Sequence, residues 1–304
     1  AKNDILISTQ GSDYTKQVHP KLRAAGWQGY WIDAASYARL HSNSTLVLDP
    51  INHHAITTAL TQGKKDFIGA NCTVSLLLLA LAGLIKNQKI TQIFTASYQA
   101  ISGAGSNAIE QLLTDQTLAS APKHLHPLDK IAHIEANLPQ NTLAHSVHPW
   151  IDSISEAGTT REEHKAYVET EKLLGFAIPI ENTCVRVPSL RSHAQAVTID
   201  LAQQQSLATT VAQLESAHDW IKIIPNKQQE TLAGLAPASL SNQLNIHIGR
   251  IRISKHNPKR IHLFTTADQL LWGAAEPLRR AFKLILYHEM NQDVLGSHHQ
   301  VYYD

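Results

Sequence analysis

The sequence predicts an α/β fold. Residues 1 to 70 alternate short apolar runs with helical patterns, the rhythm of βαβ units. A strand-like run at 90 to 99 leads through a glycine-containing turn into another helix. A hydrophobic fraction of 43% over 304 residues supplies the core for two domains or one large one. In order, strands are expected at Asp4 to Ser8, Tyr30 to Asp33, Thr45 to Leu48 and Asp66 to Ile68, with helices at Tyr14 to Ala25 and Asn52 to Gln62. Gly69 to Leu76 opens an unusually apolar helix, which puts Cys72 at a helix N-terminus and gives Gly69 the close turn before it. After the strand at Ile90 to Gln99 come Ser102-Gly-Ala-Gly105 and a helix. Residues 118 to 165, rich in His, Pro and Thr, are expected to be mostly loop. Val185, Val187, Ala196, Val197 and Ile199 alternate as strands do, with a break from Pro188 to Ala194. A further strand is expected at Asn245 to Ile253 and a long helix at Gln269 to Tyr287, and no internal repeat is present.

Composition narrows the function. The formal net charge is +1, from 26 basic and 25 acidic residues spread along the chain, so there is no field to hold nucleic acid or an anionic membrane, and small polar substrates fit better. The longest apolar stretch, Val74 to Ile85, is too short for a bilayer and is interrupted by Ser75 and Gly83. Two cysteines, Cys72 and Cys184, do not make a disulfide scaffold at this length, and without a leader pattern the expected location is cytoplasmic. Residue 1 is Ala, the only methionine is Met290, and a buried-type strand starts at Asp4, so the sequence reads as beginning inside a domain.

A cysteine in the first turn of a helix has its thiolate favoured by the helix dipole and the open backbone N–H groups. Cys72 is therefore a candidate nucleophile, and a small buried hydrophobe is the other reading of it. Cys184, inside an apolar strand, is read as core. A thiol acting on a carbonyl needs a proton partner, and His193, between Arg191 and Gln195, is the best placed of eighteen histidines. His124, His126, His133, His145 and His148 lack metal-ligand spacing, so no metal is expected, and His298 and His299 belong to a polar tail. Gly103-Ala-Gly105 with Ala108 imitates a dinucleotide fingerprint, but no strand ending in Asp or Glu follows at the required distance. A phosphate-contacting turn and an ordinary tight turn both remain open for it.

Six blocks of sequence, taken together and in this order, closely resemble aspartate-β-semialdehyde dehydrogenase. They are Gly69-Ala-Asn-Cys-Thr-Val-Ser-Leu76, Tyr98-Gln-Ala-Ile-Ser-Gly-Ala-Gly105, Glu169-Thr-Glu-Lys172, Cys184-Val-Arg-Val-Pro188, Arg191-Ser-His193 and Asp268-Gln-Leu-Leu-Trp-Gly-Ala-Ala-Glu-Pro277. Gln10 to Thr15 and Gly26 to Ser36 are most similar to the form found in Gram-negative bacteria, and the resemblance runs from about Asp4 to Arg280.

The resemblance implies reversible, phosphate-dependent oxidation of L-aspartate 4-semialdehyde to L-4-aspartyl phosphate with NADP, in the pathway from aspartate to lysine and diaminopimelate, threonine and methionine. It assigns Cys72 as the nucleophile that carries a thiohemiacetal and then a thioester, His193 as acid/base, and Gln99 as the amide that orients the intermediate. Arg186 would fork onto the substrate α-carboxylate and Glu169 accept from its α-ammonium, a pair that also separates this family from related acyl-phosphate reductases. Arg39, Asn71 and Lys172 would hold inorganic phosphate. The family's N-terminal strand, Gly-rich turn and helix, which cradle the NADP pyrophosphate, do not precede Ala1. The remaining cofactor contacts would then be Gln10, Gly11, Ser102, Gly105 and Gln269. The central loop region looks shorter than the family's, and Leu286 to Asp304 resembles nothing in it.

The expected architecture is a truncated doubly wound, Rossmann-like NADP domain (1–70 and 269–304) with an α+β catalytic and dimerisation domain (71–268), whose mixed sheet makes a homodimer. A non-catalytic or cofactor-deficient subunit that kept the fold is the rival reading. Retention of Cys72, His193, Arg186, Glu169, Arg39 and Lys172 argues against it.

Overall fold

Four short parallel strands, β1 (Ile5–Ser8), β2 (Tyr30–Asp33), β3 (Ser44–Val47) and β4 (Asp66–Gly69), lie side by side in the order β1-β2-β4-β3 in a computed structural model that describes residues 4–87 and 90–295. Parallel neighbours need a crossover, and α1 (Ser12–Ala24) and α2 (Asp49–Thr61) supply it between β1 and β2 and between β3 and β4. The apolar side chains that mark these strands in the sequence, among them Ile32, Val47 and Phe67, meet Ile56 and Leu60 of α2 and Leu278, Ala281 and Ile285 of α9 (Glu276–Leu295) in one core. Buried Asp33 closes β2: it accepts from Thr15 Oγ1 (2.6 Å), Trp31 Nε1 (3.1 Å) and the Ala35 N–H (2.9 Å), which satisfies the carboxylate and pins α1 to the strand end. The four strands, α1 and α2 match the sequence expectations to within about three residues, whereas α9 was expected over Gln269 to Tyr287 and starts later, at Glu276, after a π-helical turn over Leu271–Ala275.

A second sheet holds six strands in the order β6-β5-β7-β10-β9-β8: β5 (Ile90–Ala100), β6 (Ile180–Val187), β7 (His193–Leu201), β8 (Ile221–Ile223), β9 (Ile246–Ile253) and β10 (Arg260–Ala267). β5 is parallel to β6 and β8 to β9, and the other pairs are antiparallel, so the sheet is mixed as expected. Besides β8 and the helices at residues 161–174, 207–215 and 228–234, which the sequence reading does not place, two features differ from it. The central strand β10 was not expected, although Ile261 and Leu263 alternate into the core. The presumed loop region also contains a helix, α5 (Pro127–Asn137), with Pro127 in its first turn and His126 Nδ1 accepting from the Leu128 N–H. Leu128, Ile131 and Ile134 recur along it at helical spacing, yet all its residues are at least partly exposed.

The apolar helix α3 (Cys72–Ile85) is buried along most of its length, as an all-round apolar helix must be. At Gly83 the carbonyl of Gln213, in α7 (Leu207–Glu215), lies 1.8 Å from where a Cβ would stand, so this glycine permits helix-on-helix contact rather than interrupting the helix. Helix α6 (Arg161–Leu174) starts with a reciprocal capping box, in which the Thr160 N–H donates to Glu163 Oε2 (2.8 Å) and the Glu163 N–H to Thr160 Oγ1 (3.3 Å).

The chain divides into two units, Ala1–Leu79 with Val168–Ala177 and Leu271–Asp304, and Ala80–Tyr167 with Ile178–Leu270. The start of α3 and the second half of α6 thus belong with the parallel sheet, because Glu169 bonds to Arg39 and to the backbone of Asn71. Residues 296–304, with His298 and His299, lie outside the described residues. Among the described residues no helix is long and apolar enough to cross a membrane.

Candidate active site

In the first unit the chemistry gathers around the start of α3. Asn71 is the N-cap: its Oδ1 accepts from the Thr73 N–H (2.9 Å), the Val74 N–H (3.3 Å) and Thr73 Oγ1 (2.6 Å), which puts Cys72, partly exposed, at the first helical position. The Asn71 N–H donates to Glu169 Oε2 (2.6 Å), and Glu169 Oε1 pairs with Arg39 Nη1 (3.1 Å). Arg39 also donates from Nε to the Gly69 carbonyl (2.9 Å) and from Nη2 to the Ala34 carbonyl (3.1 Å), so one buried guanidinium ties the ends of β2 and β4 to α6. Lys172, one turn beyond Glu169, donates to the carbonyls of Arg39 (2.7 Å) and His41 (2.8 Å) and to Ser44 Oγ (3.2 Å). Burial, and then the nearby charge of Lys64, hold the Lys172 ammonium below its ordinary pKa. Gly69 has no left-handed backbone. Its lack of a side chain leaves room for Leu278, which would be 3.3 Å from a Cβ there.

Gly273 was not singled out in the sequence. It sits in a short π-helical turn, Leu271–Ala275, and a Cβ on it would stand 2.3 Å from Cys72 Cβ and 2.7 Å from Cys72 Cα. The backbone of this turn therefore rests directly on the cysteine, in an element that commonly marks functional sites.

In the second unit, three strand ends bring Gln99, Arg186 and His193 together. Gln99 is paired in register with Arg186 across β5 and β6, while His193 begins β7 on the other side of β5. Ala100 links the last two: its N–H donates to His193 Nδ1 (3.0 Å), and its carbonyl accepts from Arg186 Nη1 (2.8 Å). With Nδ1 accepting, a neutral His193 ring carries its proton on Nε2. Burial, then the Arg186 charge, pushes the His193 pKa down to about 3, so the ring is neutral at physiological pH. Gly103 presses on the same pair, since a Cβ there would lie 3.1 Å from Arg186 Nη1 and 3.3 Å from His193 Cε1. The Gln99 amide is oriented at both ends, accepting from Ser97 Oγ (3.0 Å) and donating to Glu162 Oε1 (3.2 Å), and Glu162 is balanced by Lys165 (2.9 Å).

The residues expected near the cofactor are divided between the units. Gly11 (φ +88°) and Gly105 (φ +95°) each precede a helix, α1 and α4 (Ser106–Leu118), with no side-chain cap and no atom within 4 Å of a would-be Cβ. Gln10 is exposed beside Gly11. Ser102 and Gln269 are joined, with Gln269 Nε2 donating to Ser102 Oγ (2.7 Å) and Gln269 Oε1 accepting from the Ser192 N–H (2.8 Å).

Cys184 is fully buried in β6, and burial pushes its thiol up to about 12. Two of the central histidines have structural roles: the His148 backbone pairs with Arg186 and its Nε2 lies 3.0 Å from the Thr142 carbonyl, and His126 caps α5. Among the described residues no group of three or more His, Cys, Asp or Glu side chains could hold a metal ion.

Two family models match the chain: the semialdehyde dehydrogenase NAD binding domain over residues 1–59 and the semialdehyde dehydrogenase dimerisation domain over residues 81–272. Aspartate semialdehyde dehydrogenase from Francisella tularensis is 46% identical with a TM-score of 0.90, the match covering 93% of this chain and 82% of that one. Two further structures share the fold. Aspartate semialdehyde dehydrogenase II from Vibrio cholerae, complexed with ASA, is 24% identical (TM-score 0.78, covering 93% and 79%). Aspartate semialdehyde dehydrogenase with NADP from Candida albicans is 15% identical (TM-score 0.62, covering 94% and 78%). Two family models matched in sequence order, and 46% identity over nearly the whole chain, place this protein in the aspartate-semialdehyde dehydrogenase family.

Proposed function

We propose that the chain catalyses the reversible, phosphate-dependent interconversion of L-aspartate 4-semialdehyde and L-4-aspartyl phosphate, as a cytoplasmic homodimer, in the biosynthesis of lysine and diaminopimelate, threonine and methionine. The observation that carries this reading is Cys72 at the first position of an Asn71-capped helix, beside a buried carboxylate and two cations. The helix N-terminus favours the thiolate that adds to the aldehyde carbon. The Nε2–H of His193 holds and exchanges the proton on the aldehyde oxygen as that oxygen gains charge. Gln99, fixed by Ser97 and Glu162, orients the adduct on the cysteine. Arg186 takes the substrate α-carboxylate, and Glu169, whose oxygens keep further lone pairs, takes the α-ammonium.

Gly11 and Gly105 each suit an anionic group of the cofactor, because each heads a helix that has no side-chain cap and a Cβ there would meet no atom within 4 Å. NADP bound there supplies the hydride acceptor, and Gln10, Gly11, Ser102 and Gly105 would hold it. Phosphate is held against the thioester by Arg39, Asn71 and Lys172, with Lys172 giving up its longest contact, Ser44 Oγ, to reach it. Its attack on the acyl carbon forms the C–O bond, breaks the C–S bond and returns Cys72 as thiolate.

The test is turnover of the purified chain on L-aspartate 4-semialdehyde with NADP, with and without phosphate. Phosphate-dependent reduction of NADP that is lost in Cys72→Ser and retained in Cys184→Ser is the expected result. Equal losses in both folded variants would contradict the assignment of the nucleophile.

A further inference from the structure

Ser192, immediately before His193, has a left-handed backbone (φ +71°) that residues with a side chain rarely adopt. Polar residues that do so are often held by their own side chain, but Ser192 is fully buried and its Oγ makes no hydrogen bond. Its conformation is instead held from outside, by Gln269 Oε1 accepting the Ser192 N–H at 2.8 Å. The other end of the same amide donates to Ser102 Oγ at 2.7 Å. Gln269 is 2% exposed, so both its ends are committed within the protein. The segments it joins are those that set the His193 ring. One enters β7 through Ser192, and the other carries Ala100, whose N–H meets His193 Nδ1, and Gly103, which packs on the ring. They are laced further by the Ile101 N–H to the Ser189 carbonyl (2.8 Å) and the Ser102 N–H to the Leu190 carbonyl (3.2 Å).

We propose that Gln269 is a positioning residue for His193: its amide brackets Ser192 and Ser102, keeps Ser192 left-handed, and so fixes the imidazole against the Ala100 N–H. The proposal rests on the reading that His193 acts on the substrate, and it gives Gln269 a role other than contact with the cofactor. Removing the bracket leaves a buried N–H without its acceptor and lets Ser192 relax toward an ordinary backbone, which swings His193. Glycine at 192 adopts the left-handed conformation without that support.

The experiment uses the full chain as Gln269→Leu, Ser192→Gly and the double variant, with Gln269→Asn, one methylene too short to reach both partners, replacing Gln269→Leu if the latter fails to fold. In Gln269→Leu, kcat is expected to fall about tenfold or more, with KM for NADP changed by less than about threefold. Ser192→Gly alone keeps wild-type kcat, and in the double variant it restores kcat to within about threefold of wild type. A second readout needs no substrate. The ring-nitrogen NMR signals of His193, assigned by their loss in His193→Gln, report one neutral Nε2–H tautomer in wild type, change in Gln269→Leu and return in the double variant. If the unmodified chain does not turn over the semialdehyde, the functional reading fails and the NMR signals alone decide the bracket. A raised KM for NADP with kcat preserved, His193 signals unchanged in Gln269→Leu, or no recovery in the double variant would overturn the proposal.

Discussion

His193 carries a stability cost that depends on pH. Its folded pKa of about 3 lies below the ordinary 6.5, so as pH falls through 6.5 the unfolded chain takes up a proton that the folded chain does not. The stability tied to a neutral His193 is therefore fully present above about pH 6.5 and lost as pH falls toward 3, with a slope of about 1.4 kcal/mol per pH unit. Urea unfolding at pH 5 and pH 7.5 is expected to show about 2 kcal/mol of acid destabilisation from this group, absent in His193→Gln. Equal pH dependence in the two proteins would mean that His193 is not buried as a neutral ring. The two thiols should differ as sharply. Cys184, buried with its pKa pushed up to about 12, should resist iodoacetamide in the folded protein, while the partly exposed Cys72 is labelled. Preferential labelling of Cys184 would reverse the roles given to the two cysteines.

At the scale of elements, two glycines make opposite demands. Gly273→Ala drives a Cβ into Cys72, so it should slow alkylation of Cys72 and lower activity together with stability; Gly83→Ala forces α3 off the Gln213 carbonyl and should cost about 1–3 kcal/mol or more of stability while leaving Cys72 reactive wherever the chain is folded. The reverse pattern would show that the π-helical turn does not position the thiol. Much at this scale was legible in the sequence. The four parallel strands are short β-rich runs between turn residues, and Cys72 follows a strand and opens an apolar run, so its helix-terminal place could be read directly. The cap at Asn71 and the Thr160/Glu163 box were also readable, as an Asn before an apolar run and a Thr-x-x-Glu spacing. Strand β10 and helix α5 were not. The alternation of β10 is blurred where its last three residues, Thr265 to Ala267, are all buried, and the helical spacing of Leu128, Ile131 and Ile134 in α5 is short and set within a stretch rich in His, Pro and Thr. The roles of Gly103, Ser192 and Gly273 depend on what touches them across the fold, and spacing along the chain carries no trace of that.

At the scale of the molecule, the division into two units sorts the proposed chemistry. The nucleophile and the anion-binding side chains belong to the parallel-sheet unit, and the imidazole, the orienting amide and the carboxylate-binding arginine belong to the mixed-sheet unit. The mixed sheet also carries an open concavity of about 460 Å³ lined by Phe94, Thr183, Thr198, Arg252 and His262, which suits the proposed pairing of two copies. Sedimentation should give twice the 33.5 kDa chain mass, and Thr198→Arg, which crowds this face, should shift the protein toward monomer. A dimer unaffected by that substitution would put the interface elsewhere. The most direct measurement of the proposed chemistry is mass spectrometry of the chain mixed with L-aspartate 4-semialdehyde and NADP in the absence of phosphate. The expected result is an aspartyl adduct on the peptide containing Cys72, discharged as aspartyl phosphate when phosphate is added. NADP reduction with no adduct on Cys72, or an adduct that phosphate does not remove, would contradict a thioester on Cys72 as the intermediate.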